Sequence, residues 1–320
     1  MRRFPALVLL ATFSIALSPA FADGPFVEAF RVEGLADPYG FVCDPVGGGY
    51  FISNVDGAPG QKDGKGSLTR LKADGSVAAQ KWSPAGKKLP TLDSPQGLAF
   101  FVPADSTEAD QPRWLLIADR TRILVVDVTG ALPILDLELS GMGAKHLLDL
   151  AVDPHDGTVY ASDRGARRIW AILPEYGAKP RGNHPGPRVV LDLGEIQPSA
   201  ITFFGTGGSN HLLVLGGGKK GSLHRTTVTD GASLWACPAP ADAPALEDLR
   251  GLIAIPREPS TGELYVTSGN GSLLHWSPNG VIREVLSGLA GPADLGYDPR
   301  SKLLLVPLAG SDSAVALRVP

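Results

Sequence analysis

Polar residues recur at two equivalent places in a repeated sequence phrase, and they are the candidates for chemistry. One residue stands near the start of an apolar segment in each of six phrases: Tyr39, Gln96, Asp149, Ser199, Arg250 and Asp294. Four more residues end the following apolar segment: Asn54, Asp119, Asp163 and Ser268. Brought together, such groups would supply hydrogen bonds and charge to a ligand. For each residue alone, the competing interpretation is a local cap, since Asp, Asn and Ser bond well to nearby backbone.

Individual residues of this set, and His146 near Asp149, suggest two kinds of chemistry. Arg250 can bind an anionic group through a bidentate pair, or it can be neutralised by Asp149 and Asp294. His146 is a candidate general base because its ordinary pKa lies near neutrality, with a surface loop residue as the competing interpretation. Asp149 is the second catalytic candidate. No known catalytic motif contains either residue, so the sequence names no reaction.

The phrase that carries these residues repeats six times and predicts the fold. A turn, often Pro-x-Gly, leads into a short apolar strand, and two further strands follow, separated by turns that often contain glycine. Equivalent positions in the first strand are separated by 57, 52, 51, 51 and 43 residues: Tyr39, Gln96, Leu148, Ser199, Arg250 and Ala293. Four strands of about 5–6 residues with their turns need about this length.

We therefore predict an all-β fold, a six-bladed β-propeller with four antiparallel strands per blade, as one domain over residues 23–320. Residues 26–32 are the candidate closing strand of the ring. An open solenoid or a β-sandwich is the alternative. Six inner strands around one axis would gather the polar residues at one mouth of a central channel.

The start of the chain predicts secretion. Arg2 and Arg3 precede an apolar run over 4–17, and Ala20 and Ala22 are the small residues that a signal peptidase reads. We expect residues 1–22 to be a signal peptide and the mature protein to be periplasmic or secreted. A retained membrane anchor is the alternative, although the run is short for a membrane span. No later stretch is long and apolar enough to cross a bilayer, so no span is expected after cleavage.

Charge and cysteine content narrow the partners. The 320 residues include 29 basic and 33 acidic side chains, a net charge of −4. This balance gives no reason to expect nucleic acid or an anionic membrane as a partner. Cys43 and Cys237 fall in the first and fourth predicted blades, too far apart for a disulfide. We therefore expect two free, mostly buried thiols.

Three segments resemble the six-bladed propellers of the senescence-marker-protein/gluconolactonase family and, more loosely, NHL-repeat propellers. They are residues 146–154, residues 296–307 and the loop 54–66, and the resemblance extends over the whole mature chain, towards the secreted branch of the family. The resemblance implies a divalent metal, often calcium, at the channel mouth. It places that metal where this sequence has Tyr39, Leu148, Ser199 and Arg250.

None of those four residues is a carboxylate, and calcium prefers about six to eight oxygen ligands with carboxylates among them. Asp149 and Asp294, beside these positions, are the remaining metal candidates. We expect binding of a small molecule or protein at the mouth, by a monomer without a cofactor. One alternative is a metal-dependent lactonase or related hydrolase that binds a divalent cation such as calcium through a shifted ligand set. The other is an interaction platform in an envelope assembly.

Overall fold

A computed structural model describes residues 25–101, 113–130, 134–173, 186–206, 209–218, 220–227, 234–237, 246–257, 261–277 and 280–320. In these residues, 24 strands form six antiparallel sheets of four strands each. The prediction of an all-β, six-bladed propeller is confirmed. Within the same residues, no helix has the length and apolar character needed to cross a bilayer. The predicted signal peptide, residues 1–22, lies outside the described residues.

Five blades are each built from four consecutive strands. Blade one contains β2 (Pro38–Cys43), β3 (Tyr50–Asn54), β4 (Ser67–Leu71) and β5 (Val77–Ala79). Blade two contains β6 (Pro95–Phe101), β7 (Trp114–Asp119), β8 (Arg122–Asp127) and β9 (Leu135–Glu138). Blade three contains β10 (Leu147–Val152), β11 (Val159–Asp163), β12 (Arg168–Ile172) and β13 (Arg188–Asp192). Blade four contains β14 (Pro198–Thr206), β15 (Ser209–Gly216), β16 (Ser222–Thr226) and β17 (Leu234–Cys237). Blade five contains β18 (Leu249–Arg257), β19 (Thr261–Ser268), β20 (Ser272–Trp276) and β21 (Ile282–Leu286). Short 3₁₀ turns at Ser140–Met142 and Ala309–Ser311 are the helical segments among the described residues.

Blade six joins the two ends of the described chain. It contains β22 (Gly296–Asp298), β23 (Leu303–Leu308) and β24 (Ser313–Arg318), with β1 (Val27–Val32) as its outer strand. β1 runs antiparallel to β24, and Val32 lies opposite Ala314. The predicted closing strand is therefore confirmed, and hydrogen bonds between the two chain ends complete the ring.

The core lies between blades, and strand periodicity explains why the strands look apolar on both faces. Successive side chains of a strand point to opposite faces of the sheet. In β7, Leu115 and Ile117 pack in the layer shared with blade one, whereas Leu116 and Ala118 pack in the layer shared with blade three. Six such apolar layers form, one between each pair of neighbouring blades. This arrangement accounts for the continuous apolar runs that periodicity alone could not assign.

Irregular pairing near the start of the inner strands positions the axial residues. In blades one to five the register between the first and second strands shifts there, as between Pro95 and Leu98 in blade two. At this point inner strands of adjacent blades come close together. A Cβ atom on Gly97 would lie 2.6 Å from the Cα atom of Asp149. A glycine is thus required for blades two and three to approach at the axis.

The two cysteines are free, as predicted. Cys43 is buried on β2 of blade one, and Cys237 is half-buried on β17 of blade four. Burial raises the pKa of both thiols, that of Cys43 to about 11. Neither thiol is therefore a reactive thiolate at neutral pH.

Candidate functional site

The predicted polar residues lie at one end of the propeller. The first and second strands of each blade are antiparallel, so the start of one meets the end of the other. Pro38 lies opposite Asn54, and Pro95 lies opposite Asp119. The structure divides these residues into an axial group on the inner strands and a group at the second-strand ends.

Asp149 and Asp294 form a hydrogen-bonded pair of carboxyl groups, called the acid pair below. They occupy equivalent positions at the start of the inner strands of blades three and six. These blades face each other across a ring of six, so the bond between them crosses the axis. Asp149 is 4% exposed and Asp294 is 5% exposed. The acid pair therefore lies across the axis at this level and is almost completely removed from solvent.

The acid pair holds a proton at neutral pH, because two buried carboxylates in contact cannot both be ionised. Burial raises the pKa of Asp149 to about 7. Burial and the charge of Asp149 raise the pKa of Asp294 further. The two oxygens of Asp149 accept the backbone N–H groups of Leu150 and Ile201, both at 2.7 Å. Asp294 accepts one, from Leu295 at 2.8 Å. Asp149, which accepts two backbone N–H groups against one for Asp294, is thus the carboxylate, and Asp294 carries the shared proton.

Tyr39 lies next to the acid pair on the inner strand of blade one. Burial, followed by the charges of Asp294 and Asp149, raises the pKa of the Tyr39 phenol, so its hydroxyl is a neutral donor. Arg164 and Arg250 are close enough to oppose this effect. None of the described residues makes a hydrogen bond to the Tyr39 hydroxyl.

Gln96 and His146 form a second polar pair, between blades two and three. Gln96 is 1% exposed, and its Nε2 lies 3.1 Å from Nε2 of His146 and 3.3 Å from Oγ of Ser94. An amide nitrogen only donates, so Nε2 of His146 accepts and the imidazole proton sits on Nδ1. Burial, aided by Arg164 and Arg120, lowers the pKa of His146 and keeps the ring neutral. The buried Oε1 of Gln96 has no hydrogen-bond partner.

The loop between β3 and β4 covers this second pair. The Gly60 N–H donates to Ser94 Oγ at 2.9 Å, and Arg120 Nε donates to the Gly60 carbonyl at 3.0 Å. Gly60 has φ +77°, and a Cβ atom there would lie 3.3 Å from Cε1 of His146. The backbone of this loop thus approaches the imidazole closely.

Arg164 and Arg120 are members of the site that the sequence analysis missed. Each directly follows the aspartate that ends a second strand, and each lies close enough to His146 to lower its pKa. The signal was present in the sequence, because the dipeptide Asp-Arg occurs at equivalent positions of blades two and three. Arg164 is half-buried, and no acceptor among the described residues bonds to its guanidinium. We call Tyr39, Gln96, His146 and Arg164 the mouth cluster.

Arg250 has a partner other than those expected from the sequence. Its Nε and Nη2 donate to Asp248 at 3.1 and 2.7 Å, so Asp248 neutralises it rather than Asp149 or Asp294. Asp248 lies two residues earlier, at the entry to the same strand. Arg250 is therefore less available to an anion than Arg164.

The second-strand ends are occupied by local bonds. Asp163 accepts the N–H groups of Lys145, His146 and Ala166 at 2.9–3.0 Å and the indole N–H of Trp170 at 3.2 Å. Asp119 accepts two backbone N–H groups and pairs with Arg122 at 2.7 Å. Both carboxylates are fully buried. They hold the turns that present the mouth cluster.

The three remaining candidates are also bonded within the scaffold. Asn54 donates to Thr69 Oγ1 at 3.1 Å. Ser199 donates to the Leu215 carbonyl at 3.2 Å, and Ser268 donates to the carbonyl of Glu247 at 2.5 Å. Although all three lie at the mouth end, their polar groups are directed to the backbone or to a neighbouring strand.

The residues present do not fit the calcium site implied by the family resemblance. No cluster of three His, Cys, Asp or Glu side chains occurs in the described part of the chain. At the implied metal positions, the Leu148 side chain supplies no oxygen ligand and Arg250 carries a positive charge. The acid pair supplies two carboxyl groups, which bond to each other and to backbone N–H groups.

Comparison with known proteins identifies the fold of the chain but matches it to no sequence family. No protein-family model and no curated protein matches the sequence. Among solved structures, it is similar to a gluconolactonase from Xanthomonas campestris at 15% identity and TM-score 0.59, covering 93% of this chain and 98% of that one. It is also similar to an auxiliary nutrient binding protein from Bacteroides ovatus at 11% identity and TM-score 0.64, covering 92% and 73%. Virginiamycin B lyase from Staphylococcus aureus matches at 16% identity and TM-score 0.57, covering 91% and 99%. These likenesses establish the gluconolactonase-like propeller fold.

Proposed function

We propose that this protein binds a small molecule at the mouth of its central channel and does not transform it. The observation that carries the proposal is the unused hydrogen-bonding capacity of the mouth cluster. Gln96 Oε1 is buried without a partner. The Tyr39 hydroxyl and the Arg164 guanidinium belong to half-buried residues and have no partner among the described residues. A buried polar group without a partner costs about 1–3 kcal/mol, so a ligand that donates to Gln96 Oε1 is favoured.

The acid pair argues against the hydrolase alternative. Both oxygens of Asp149 are engaged by backbone donors, and it also accepts a bond from Asp294. It is therefore a poor general base. His146 Nε2 is occupied by Gln96, which leaves only a donor on that ring. Solved neighbours of this fold include gluconolactonases and nutrient-binding proteins, so the residues rather than the fold favour binding.

A thermal-shift screen of small metabolites tests the binding function. We expect compounds that raise the midpoint of unfolding of the wild-type protein and do so no longer after Gln96→Met. Gln80→Met is the matched control, because Gln80 is exposed beyond β5 on the outer part of blade one. Binding that survives Gln96→Met would place the ligand elsewhere, and a screen without any stabilising compound would reject the function.

A lactone-hydrolysis assay with and without a chelator tests the competing activity. We expect no turnover under either condition and no stoichiometric calcium in the purified protein. Chelator-sensitive turnover would replace binding by a metal-dependent hydrolase. A specific protein captured from envelope extract, with no small-molecule ligand, would favour the interaction platform instead.

The proposal includes an extracytoplasmic location and a monomeric state. The location rests on the sequence, through the predicted signal peptide over residues 1–22. Mass spectrometry of the exported protein is expected to find a start at Asp23, and light scattering is expected to give one chain per particle. A secreted product beginning at Met1 would contradict the cleavage.

A further inference from the structure

We infer that the small molecule bound at the mouth carries a carboxylate, and that Arg164 pairs with it. The inference rests on the proposed function, because it names the ligand class of the same site. It is carried by three observations: a cation without an acceptor among the described residues, an excess of donors around it, and an acid pair whose oxygens are already bonded.

Arg164 stands apart from the other half-buried arginines of the described residues. Arg113 pairs with Asp44, and Arg122 pairs with Asp119. Others bond to Gly60, Glu195, Asp192 or Asp248, or lie over the ring of Phe51: Arg120, Arg167, Arg168, Arg250 and Arg70. For Arg164 the same part of the molecule offers neither an acceptor nor a ring. A half-buried guanidinium loses water on folding, so it favours an anionic partner.

The neighbouring groups of the mouth cluster add donors more than acceptors. The Tyr39 hydroxyl is kept protonated, and Nδ1 of His146 carries its proton because Nε2 accepts from Gln96. The free acceptors of the cluster are Gln96 Oε1 and the oxygen of the Tyr39 hydroxyl, which accepts as well as donates. A ligand that completes this set presents two or more acceptor oxygens to Arg164 and Tyr39. It also presents an N–H or O–H group to Gln96.

Within the described residues Arg164 has no acceptor, whereas Arg120, the other cation beside His146, donates to the Gly60 carbonyl. The two oxygens of a carboxylate fit the guanidinium fork in a bidentate pair. The acid pair does not satisfy Arg164 in place of a ligand, because its oxygens are bonded to backbone donors and within the pair.

A polar cavity beside the end of β7 lacks this feature. It has a volume of about 250 Å³ and is lined by Lys62, Thr91, Asp93, Glu138 and the turn 119–122. Its two arginines are both bonded, Arg120 to the Gly60 carbonyl and Arg122 to Asp119 and Asp136. Its own carboxylates therefore already supply acceptors, and the anion is assigned to Arg164.

Titration with glycolate and glycolamide, followed by the NMR signals of arginine Nε–H groups, tests the inference. The two probes have the same size and the same hydroxyl donor, and they differ in charge. We expect glycolate to shift the Arg164 signal saturably and to bind at least tenfold more tightly than glycolamide. Equal affinity of the two probes, or no saturable shift with glycolate, would overturn the inference.

Variants in one turn separate a built site from general attraction of anions. Arg164→Gln is expected to weaken glycolate binding at least tenfold, and Arg164→Lys, which keeps the charge without the fork, is expected to weaken it less. Arg167→Gln is the control, because Arg167 lies three residues later and pairs with the exposed Glu195. Unchanged binding by a folded Arg164→Gln protein would refute the role of Arg164.

The two proposals fail in different ways. If the metabolite screen yields only neutral ligands that depend on Gln96 and ignore Arg164→Gln, the binding function stands and the carboxylate inference is rejected. If no metabolite and neither probe binds, both are rejected. Thermal unfolding of each variant without ligand shows that a loss of binding is not a loss of folding.

Discussion

Two groups of polar residues lie at the same end of this propeller, and they differ in how their hydrogen bonds are used. The aspartates at the second-strand ends, Asp119 and Asp163, are surrounded by donors. The axial aspartates, Asp149 and Asp294, have fewer donors and bond to each other. All four are buried aspartates in one repeated phrase. Burial alone therefore does not identify a functional carboxylate, and the supply of donors has to be counted.

The difference shows which polar residues of the propeller stabilise its turns and which remain free to bind a ligand. At the second-strand ends each carboxylate meets the backbone of a tight turn, so the chain itself provides its partners. At the axis each side chain meets the other blades, and partners have to come from five distant segments or from a ligand. The carboxylates at the second-strand ends thus have their hydrogen bonds filled by nearby backbone, whereas unpaired polar groups remain at the axis.

The largest effect is expected from removing the most saturated carboxylate. Asp163→Ala leaves three backbone N–H groups and the Trp170 indole N–H without an acceptor. Because unsatisfied buried donors cost about 1–3 kcal/mol each, the free energy of unfolding should fall by about 3 kcal/mol or more. Urea denaturation measures the loss. Asp136→Ala is the control. Asp136 is 43% exposed, and its partner Arg122 keeps the ion pair with Asp119. The free energy of unfolding should therefore change by less than about 1 kcal/mol.

The acid pair should respond asymmetrically to substitution by asparagine. In Asp294→Asn the amide N–H₂ takes the place of the shared proton and donates to Asp149, so stability is kept or increased. In Asp149→Asn an N–H₂ group faces the N–H of Ile201 or Leu150, which should cost about 2 kcal/mol. Denaturation of both variants at pH 8 is the measurement. Equal losses would show that the proton is not held on Asp294.

The same pair predicts how stability depends on pH. A carboxyl group whose pKa is raised by folding stabilises the folded state below its unfolded pKa, and this contribution is lost as pH rises. The window therefore opens near the ordinary value of about 3.9 and extends to the pKa of Asp294, which burial and the charge of Asp149 raise well above that value. Relative to Asp294→Asn, the wild-type free energy of unfolding should fall by up to about 1.4 kcal/mol per pH unit there. Parallel stability curves for the two proteins would contradict a shared proton.

The fold was predictable because every blade repeats one local pattern. Pro-x-Gly turns, short apolar runs and the spacing of about 50 residues specify strands, and the unpaired segment 26–32 specifies the closure. Layered packing then follows from strand alternation, since each face needs an apolar neighbour. None of these steps depends on the identity of a single side chain.

The site was predictable in position but not in bonding. The sequence placed Asp149 and Asp163 at the mouth, yet it could not show that one faces another acid and the other faces four N–H groups. For Arg250 the sequence leaves open an anionic ligand or neutralisation by Asp149 and Asp294, whereas in the structure it pairs with Asp248, two residues away. Arg164 was missed because its lack of a partner is a property of the assembled ring. Bonds within a turn can be read locally, but contacts at the axis join segments about 50 or more residues apart.

The smallest expected effect compares two buried amides, one from each group. Asn54 is bonded to Thr69 and accepts from Ala36, so Asn54→Leu should lower the free energy of unfolding by about 2 kcal/mol. Gln96 keeps an unpaired buried oxygen, so Gln96→Met removes an unfavourable group along with its bonds to His146 and Ser94. The two contributions oppose each other, and the net change should stay within about 1 kcal/mol. Urea denaturation of both variants without ligand gives the comparison. A loss at Gln96 as large as that at Asn54 would mean that its amide serves the scaffold, which would leave the mouth without its buried acceptor.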